Sequence, residues 1–241
     1  MFVAVVVAVL GFLIGATKGG FNSLGTLLTP VLSLVMSVPQ AVGVLLPMLL
    51  VGDAFALHAY WREWDTKLVL RMLGPAAAGA LVGTILLAGL PPSVLRVILA
   101  VFVLILAAYA VLHGRIERIA YRPAWWHAPL VGGVTGVASG VFNNGGPTFN
   151  SYLLVLRVSP RTFIGTAALF FAVVNVLKVP AFLVAGVIDI PLLVSLWWVV
   201  LFIPPGIWAA RLVATGINPR VFEWIVIAML LVSSILLLTQ R

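Results

Sequence analysis

Ten apolar segments fill this chain, and almost no charge interrupts them. They run at about 1 to 17, 21 to 36, 41 to 60, 67 to 89, 94 to 112, 125 to 142, 147 to 158, 162 to 187, 190 to 214 and 220 to 240. A hydrocarbon layer about 30 Å thick needs about 20 helical residues to cross it, and most of the runs approach that length. None alternates apolar with polar residues, so the strands of a membrane β-barrel are excluded. The fold class is therefore an all-α integral membrane protein. Composition agrees: 63% of the 241 residues are hydrophobic and 8% charged, against about a quarter charged in a soluble domain. A soluble catalytic domain has nowhere to sit. The chain has no cysteine, which excludes disulfides, iron-sulfur ligation and thiol nucleophiles. Met1 to Leu10 carries no basic residue, the first being Lys18, so this stretch is expected to belong to the mature structure and not to a cleaved signal.

The one long polar connection, HGRIERIAYRP from His113 to Pro123, falls near the middle. It divides the chain into a first membrane repeat (1–112), a cytoplasmic linker (113–124) and a second membrane repeat (125–241). Four landmarks recur in order. Lys18-Gly19-Gly20-Phe21 lies opposite Asn144-Gly145-Gly146-Pro147, and SVPQAVG (Ser37 to Gly43) opposite VSPRTFIG (Val158 to Gly165). WDTKLV (Trp64 to Val69) matches IDIPLLV (Ile188 to Val194), and GLPPSVLRVI (Gly89 to Ile98) matches GINPRVFEWI (Gly216 to Ile225). Matches kept in order and in spacing, with small slips, are the mark of an internal repeat. Each half holds five segments. The first two start and finish on one side, whether they cross fully or dip in and return as a hairpin. Three more spans leave the second half on the opposite face, so the repeats are inverted.

Lysine and arginine in short loops stay cytoplasmic. With both termini outside, the cytoplasmic face receives Arg62, Lys67, Arg71, Arg115, Arg118, Arg122, Arg157, Arg161 and Arg220, with Arg211 close to it, whereas the outer face receives little beyond Arg96 and Arg241. Tyr60, Trp61, Trp64, Tyr121, Trp125, Trp126 and Trp224 fall at cytoplasmic helix ends, where amphipathic rings anchor in the headgroups. The net charge of +8 is explained by these loops and does not call for nucleic acid. The localisation expected is the cell membrane, multi-pass, with the bilayer as surroundings.

Polar, glycine-rich knots interrupt the first segment pair of each half: GATKGGFNSLG (Gly15 to Gly25) and ASGVFNNGGPTFN (Ala138 to Asn150). Broken backbone at membrane depth is tolerated only where protein or a watery cavity covers it. Such a break exposes the first amides of the second half-helix, and the helix dipole adds partial positive charge there. Two tips meeting near the midplane would make an anion site, as inverted-repeat transporters arrange their substrate sites. The candidate substrate-binding residues are Lys18, Gly19, Gly20, Asn22, Asn143, Asn144, Gly145, Gly146, Thr148 and Asn150, with Ser139 nearby. Lysine supplies charge, asparagines supply donors, and neither knot contains a carboxylate. Gly132, Gly136 and Gly140 recur every four residues and read as a packing ridge.

Asp53 lies inside the third segment, its repeat counterpart is Asn175, and Lys178 follows one turn later. An ionisable group at that depth is a functional candidate. Asp53 either takes a proton in a coupled cycle or pairs with Lys178, and Lys178 alternatively joins Lys18 in holding the anion. Glu223, one turn from Arg220, is expected to pair with it. Pro47, Pro75, Pro180, Pro204 and Pro205 are expected to kink their helices.

The paired glycine-rich hairpin openings, the Gly145-Gly146-Pro147 run, the duplicated organisation and the lack of a soluble domain resemble the sulfite exporter TauE/SafE family over essentially the whole chain. The resemblance implies export of sulfite, sulfoacetate or another small organic anion by a secondary mechanism. That family's first motif has three glycines where this sequence has Lys18-Gly19-Gly20-Phe21, and its second is here Asn143-Asn144-Gly145-Gly146-Pro147, which suggests a tuned substrate. The function expected is a secondary transporter for a small anion, a sulfur oxyanion or organosulfonate, working by alternating access and coupled to protons through Asp53. An anion channel of the same fold and a transporter of a non-sulfur organic anion are the alternatives. No metalloprotease motif is present and the three histidines lie at loops or ends, so an enzyme, a metal site and a cofactor are not expected. The small-residue faces are compatible with a homodimer.

Overall fold

The computed structural model describes residues 2–19, 21–116, 124–213 and 219–239. Gly20, Arg118, Tyr121, Arg122 and Arg241 lie outside the described residues, as do the side chains of Asn22, Arg115, Arg211 and Arg220 and most of the central linker. The described residues form helices joined by short turns, with no strand among them. The order is α1 (Phe2–Gly19), a 3-10 turn (Asn22–Leu24), α2 (Gly25–Leu32), α3 (Val38–Ala59), α4 (Thr66–Gly89), α5 (Pro92–Ile116), α6 (His127–Phe142), α7 (Gly146–Val155), α8 (Pro160–Val184), α9 (Ile190–Ser195), a second 3-10 stretch (Trp197–Phe202), α10 (Ile203–Val213) and α11 (Pro219–Thr239). Among the described residues five helices, α3, α4, α5, α8 and α11, are long and apolar enough to cross a membrane. The protein is a multi-pass membrane protein. Aliphatic side chains such as Leu70, Ile85 and Val184 stand exposed on its outside, where lipid and not water solvates them.

Three of the four sequence landmarks fall at helix starts, whereas Lys18-Gly19 falls at the end of α1. Ser37 caps α3 by accepting from the Gln40 amide, and Gln40 returns the bond to the Ser37 amide, closing a capping box. Ser159 caps α8 by accepting from the Thr162 amide. Asp65 and Asp189 cap α4 and α9 in the same way, through the amides of Leu68 and Leu192. The ninth apolar segment is not one helix. Pro204 and Pro205 remove two amide donors and disfavour helical backbone before them, and the turn ahead of them tightens to 3-10.

Two seams of bare backbone hold the bundle. A Cβ on Gly132, Gly136 or Gly140 of α6 would overlap the carbonyl groups of Met72, Ala76 and Ala80 on α4. The ridge read from sequence is thus a helix-helix contact without side chains, the close approach that small residues allow in lipid. Gly11 and Gly15 of α1 meet Val199 and Ile203, and Gly206 meets Phe12, in the same manner. Helices α3 and α8 lock at both ends: Gly43 of α3 abuts the Val187 carbonyl after α8, and Gly165 of α8 abuts the Glu63 carbonyl after α3. Helices α5 and α11 also pack together. The apolar core between them includes Leu99, Val103, Phe142, Phe182 and Leu230.

Candidate anion-binding site

Helices α1 and α2 form one hairpin, α6 and α7 another, and the two tips touch. Thr29 of α2 donates to the Phe142 carbonyl at 2.5 Å, and the buried Asn144 amide donates to the Thr26 carbonyl at 3.1 Å. Asn143 ends α6 with left-handed backbone, φ 53°, a conformation that asparagine tolerates better than most residues. Its side chain donates to the Val42 carbonyl on α3 at 2.8 Å. Neither α2 nor α7 has a side-chain cap on its N-terminus. Their first turns, at Gly25 and Thr26 and at Gly146 and Pro147, line a chamber of about 360 Å3. A helix start without a side-chain cap can lend first-turn amides to a ligand, Pro147 excepted because it has none.

Lys18 sits in the last turn of α1 and also lines the chamber. Gly52 on α3 leaves space for its stem, with a Cβ there falling 3.4 Å from the Lys18 chain. The ammonium reaches Asp53 Oδ1 at 2.5 Å, while Asn175 of α8 donates to Oδ2 at 2.7 Å. Asp53 is fully buried. A carboxylate therefore does approach the first knot, brought by α3 from outside the hairpin, and it partners Lys18. This corrects the pairing of Asp53 with Lys178. Lys178, also buried, turns to the end of α6 and donates to the Ser139 carbonyl at 3.1 Å, to the Ser139 hydroxyl at 3.0 Å and to Asn143 Oδ1 at 2.6 Å. A cation there suits the negative end of the helix dipole. The ring of Phe182 covers it, 5.5 Å from the nitrogen. Replacing Lys178 with methionine leaves Asn143 Oδ1 facing a thioether, and a buried acceptor without a donor costs about 1–3 kcal/mol. A fall in melting temperature of the detergent-purified variant, retained in low and high salt, is the expected result.

Of the residues singled out from sequence, Lys18, Ser139, Asn143, Asn144, Gly146, Asn150 and Asn175 line the chamber. Asn150 brings an Oδ1 that has no hydrogen-bond partner. Gly145 stands off the wall, where a Cβ would meet the Thr135 carbonyl at 2.6 Å, so its smallness serves packing. Thr148 also stands off the wall, and Asp53 and Lys178 act from behind it. Gly19 lies in the last turn of α1, and Asn22 opens the 3-10 turn. Sequence reasoning missed Thr17, Ser23, Thr26 and Ser151, all on the wall. Polar residues recurring inside the short apolar segments were the available signal. Glu223 also lines the chamber, whereas the ion pair expected for it falls on the undescribed Arg220 side chain. Among the described residues no group of three or more His, Asp or Glu is placed to hold a metal ion.

The remaining walls come from the C-terminal half of α5 and the N-terminal halves of α8 and α11, including Leu106, Phe163, Phe171 and Ile227. No curated protein and no solved structure matches the chain significantly. A family model described as sulfite exporter TauE/SafE matches residues 7–237. A duplicated set of helix caps, two touching broken hairpins and a polar chamber floor inside an apolar bundle thus occur in a chain that belongs to the sulfite exporter TauE/SafE family.

Proposed function

We propose that this protein is a secondary transporter that exports a small anion, a sulfur oxyanion or an organosulfonate, by alternating access. The observation that carries this reading is the meeting of Lys18, Asn143, Asn144 and the uncapped starts of α2 and α7 on one chamber floor. Ammonium, side-chain amides and helix N-termini are the donors that recognise an oxyanion. In this reading residues 1–112 and 125–241 are inverted repeats. The reciprocal contacts Gly43 with Val187 and Gly165 with Glu63 support it, because they exchange when the halves exchange. So do the cap pairs Ser37 with Ser159 and Asp65 with Asp189. With the termini outside and the linker cytoplasmic in the cell membrane, the chamber wall on the C-terminal half of α5 lies toward the cytoplasm, the side from which an exporter loads.

Asp53 is the proposed proton-carrying group. It lies beside the anion's floor, held by Lys18 from α1 and Asn175 from α8, with Lys178 of α8 within electrostatic reach. An anion drawn to Lys18 competes with this carboxylate, which links anion occupancy to its charge. The test is efflux from proteoliposomes loaded with sulfite or sulfoacetate. Flux is expected to saturate with substrate, to respond to an imposed pH gradient, and to lose that response in Asp53→Asn. Flux that rises linearly with concentration and follows voltage alone would establish the channel instead.

A further inference from the structure

The chamber is amphipathic along its length, and that property selects a ligand shape. Helix α8 faces it with Phe163, Ala167, Phe171 and Asn175, four residues at steps of four and hence on one stripe. At about 1.5 Å per residue the stripe runs about 18 Å from Phe163 to Asn175. Only its inner end is polar. Leu106 and Ala110 on α5 and Val226, Ile227 and Leu230 on α11 add apolar wall, and the Tyr109 hydroxyl on the same side of α5 is engaged by Ser151. A volume of about 360 Å3 falls in the class of pockets that enclose organic molecules, roughly 300–1,000 Å3. A four-atom oxyanion on the floor would leave most of that wall facing water. The exposed Glu223 carboxylate at the start of α11 lines the far end and disfavours a second negative group there.

Resting on the reading of the hairpin tips as an anion site, we propose that the preferred substrates are organic anions with one negative head and an apolar body of several carbons. The head, a sulfonate or a group of like chemistry, takes the floor made by Lys18, Asn143 and Asn144. The body lies along Phe163, Ala167 and Phe171. Removing apolar surface from water favours such a ligand over bare sulfite by about 0.8 kcal/mol per methylene, which is roughly a fourfold gain in affinity for each carbon buried.

The test uses the full-length protein in lipid nanodiscs, with affinity read from the ligand-dependent rise in melting temperature. The probes are sulfite, methanesulfonate, propane-1-sulfonate, hexane-1-sulfonate, propane-1,3-disulfonate and hexan-1-ol. Affinity is expected to climb roughly fourfold per methylene from methanesulfonate to propane-1-sulfonate and to continue rising to hexane-1-sulfonate, with the disulfonate and the alcohol well behind. Ala167→Phe, which fills the apolar part of the chamber, is expected to weaken hexane-1-sulfonate at least tenfold and methanesulfonate by much less. Equal or tighter binding of sulfite than of every alkanesulfonate overturns the proposal while the hairpin site stands. A shift as large with hexan-1-ol as with hexane-1-sulfonate overturns it too, because the head then contributes nothing. Absence of any shift with all six probes overturns both the proposal and the anion site beneath it.

Discussion

Lys18→Met is expected to destabilise the protein by about 3 kcal/mol, and the double variant Lys18→Met with Asp53→Leu to recover most of that loss. The Asp53 side chain is 1% exposed and that of Lys18 19%, so the carboxylate has little water to fall back on. Removing one member of a buried pair costs about 3–5 kcal/mol, because an uncompensated charge is left behind, whereas removing both is often close to neutral. The lower end applies here, since Asn175 still donates to Oδ2. A double-mutant cycle by SDS titration measures the coupling, and a value of about 2 kcal/mol or more is expected. Additive losses would mean that the two groups do not hold each other, and the competition proposed between Asp53 and a bound anion would then have no basis. The double variant is also expected to be inactive in transport while folded, which separates the pair's function from its stability.

Gly136→Val is expected to cost about 3 kcal/mol or more and to prevent recovery of folded protein at growth temperature. The new Cβ would overlap the backbone of Ala76, and two packed helices have no flexible side chain there to move aside. Overpacking of this kind costs about 1–3 kcal/mol, and more where the obstacle is rigid. Gly133, three residues away on the same helix, is the control. A Cβ there finds its nearest neighbour, the Pro75 carbonyl oxygen, at 3.8 Å, which is ordinary contact, so Gly133→Ala should change the yield little. Similar yields for both variants on size-exclusion chromatography would refute the backbone seam.

What the sequence made legible was whatever local chemistry decides. Apolar length located the segments, and Ser37, Asp65, Ser159 and Asp189 marked helix starts because a capping side chain needs only its own next turn. The glycine ridge at 132, 136 and 140 was readable from spacing alone. Only the break between α9 and α10 blurred this level, for the proline pair promised a kink and the chain instead tightened to 3-10 before it. The site was legible as a list of polar residues and not as a set of bonds. Thr29 finds Phe142 and Asn144 finds Thr26 across more than a hundred residues, and no periodicity reports a partner at that distance. The Asp53 partnership shows the same limit. Lys178 lies one turn from Asn175, which itself donates to Asp53, yet it belongs to Ser139 and Asn143, because α6 ends with acceptors and Lys18 already occupies the carboxylate. Gly145, grouped with its neighbours by motif, serves packing for a reason visible only once Thr135 is seen beside it.

The absence of native cysteine makes one measurement unusually direct. Thr26→Cys places a single thiol on the chamber floor, at the residue whose carbonyl receives Asn144, and its reaction with a charged methanethiosulfonate reagent reports access to the site. Saturating sulfonate or sulfite is expected to slow labelling at least tenfold, and Asn144→Ala in the same background to abolish that protection. Labelling at an unchanged rate, with the anion demonstrably bound elsewhere, would contradict an anion site at the hairpin tips.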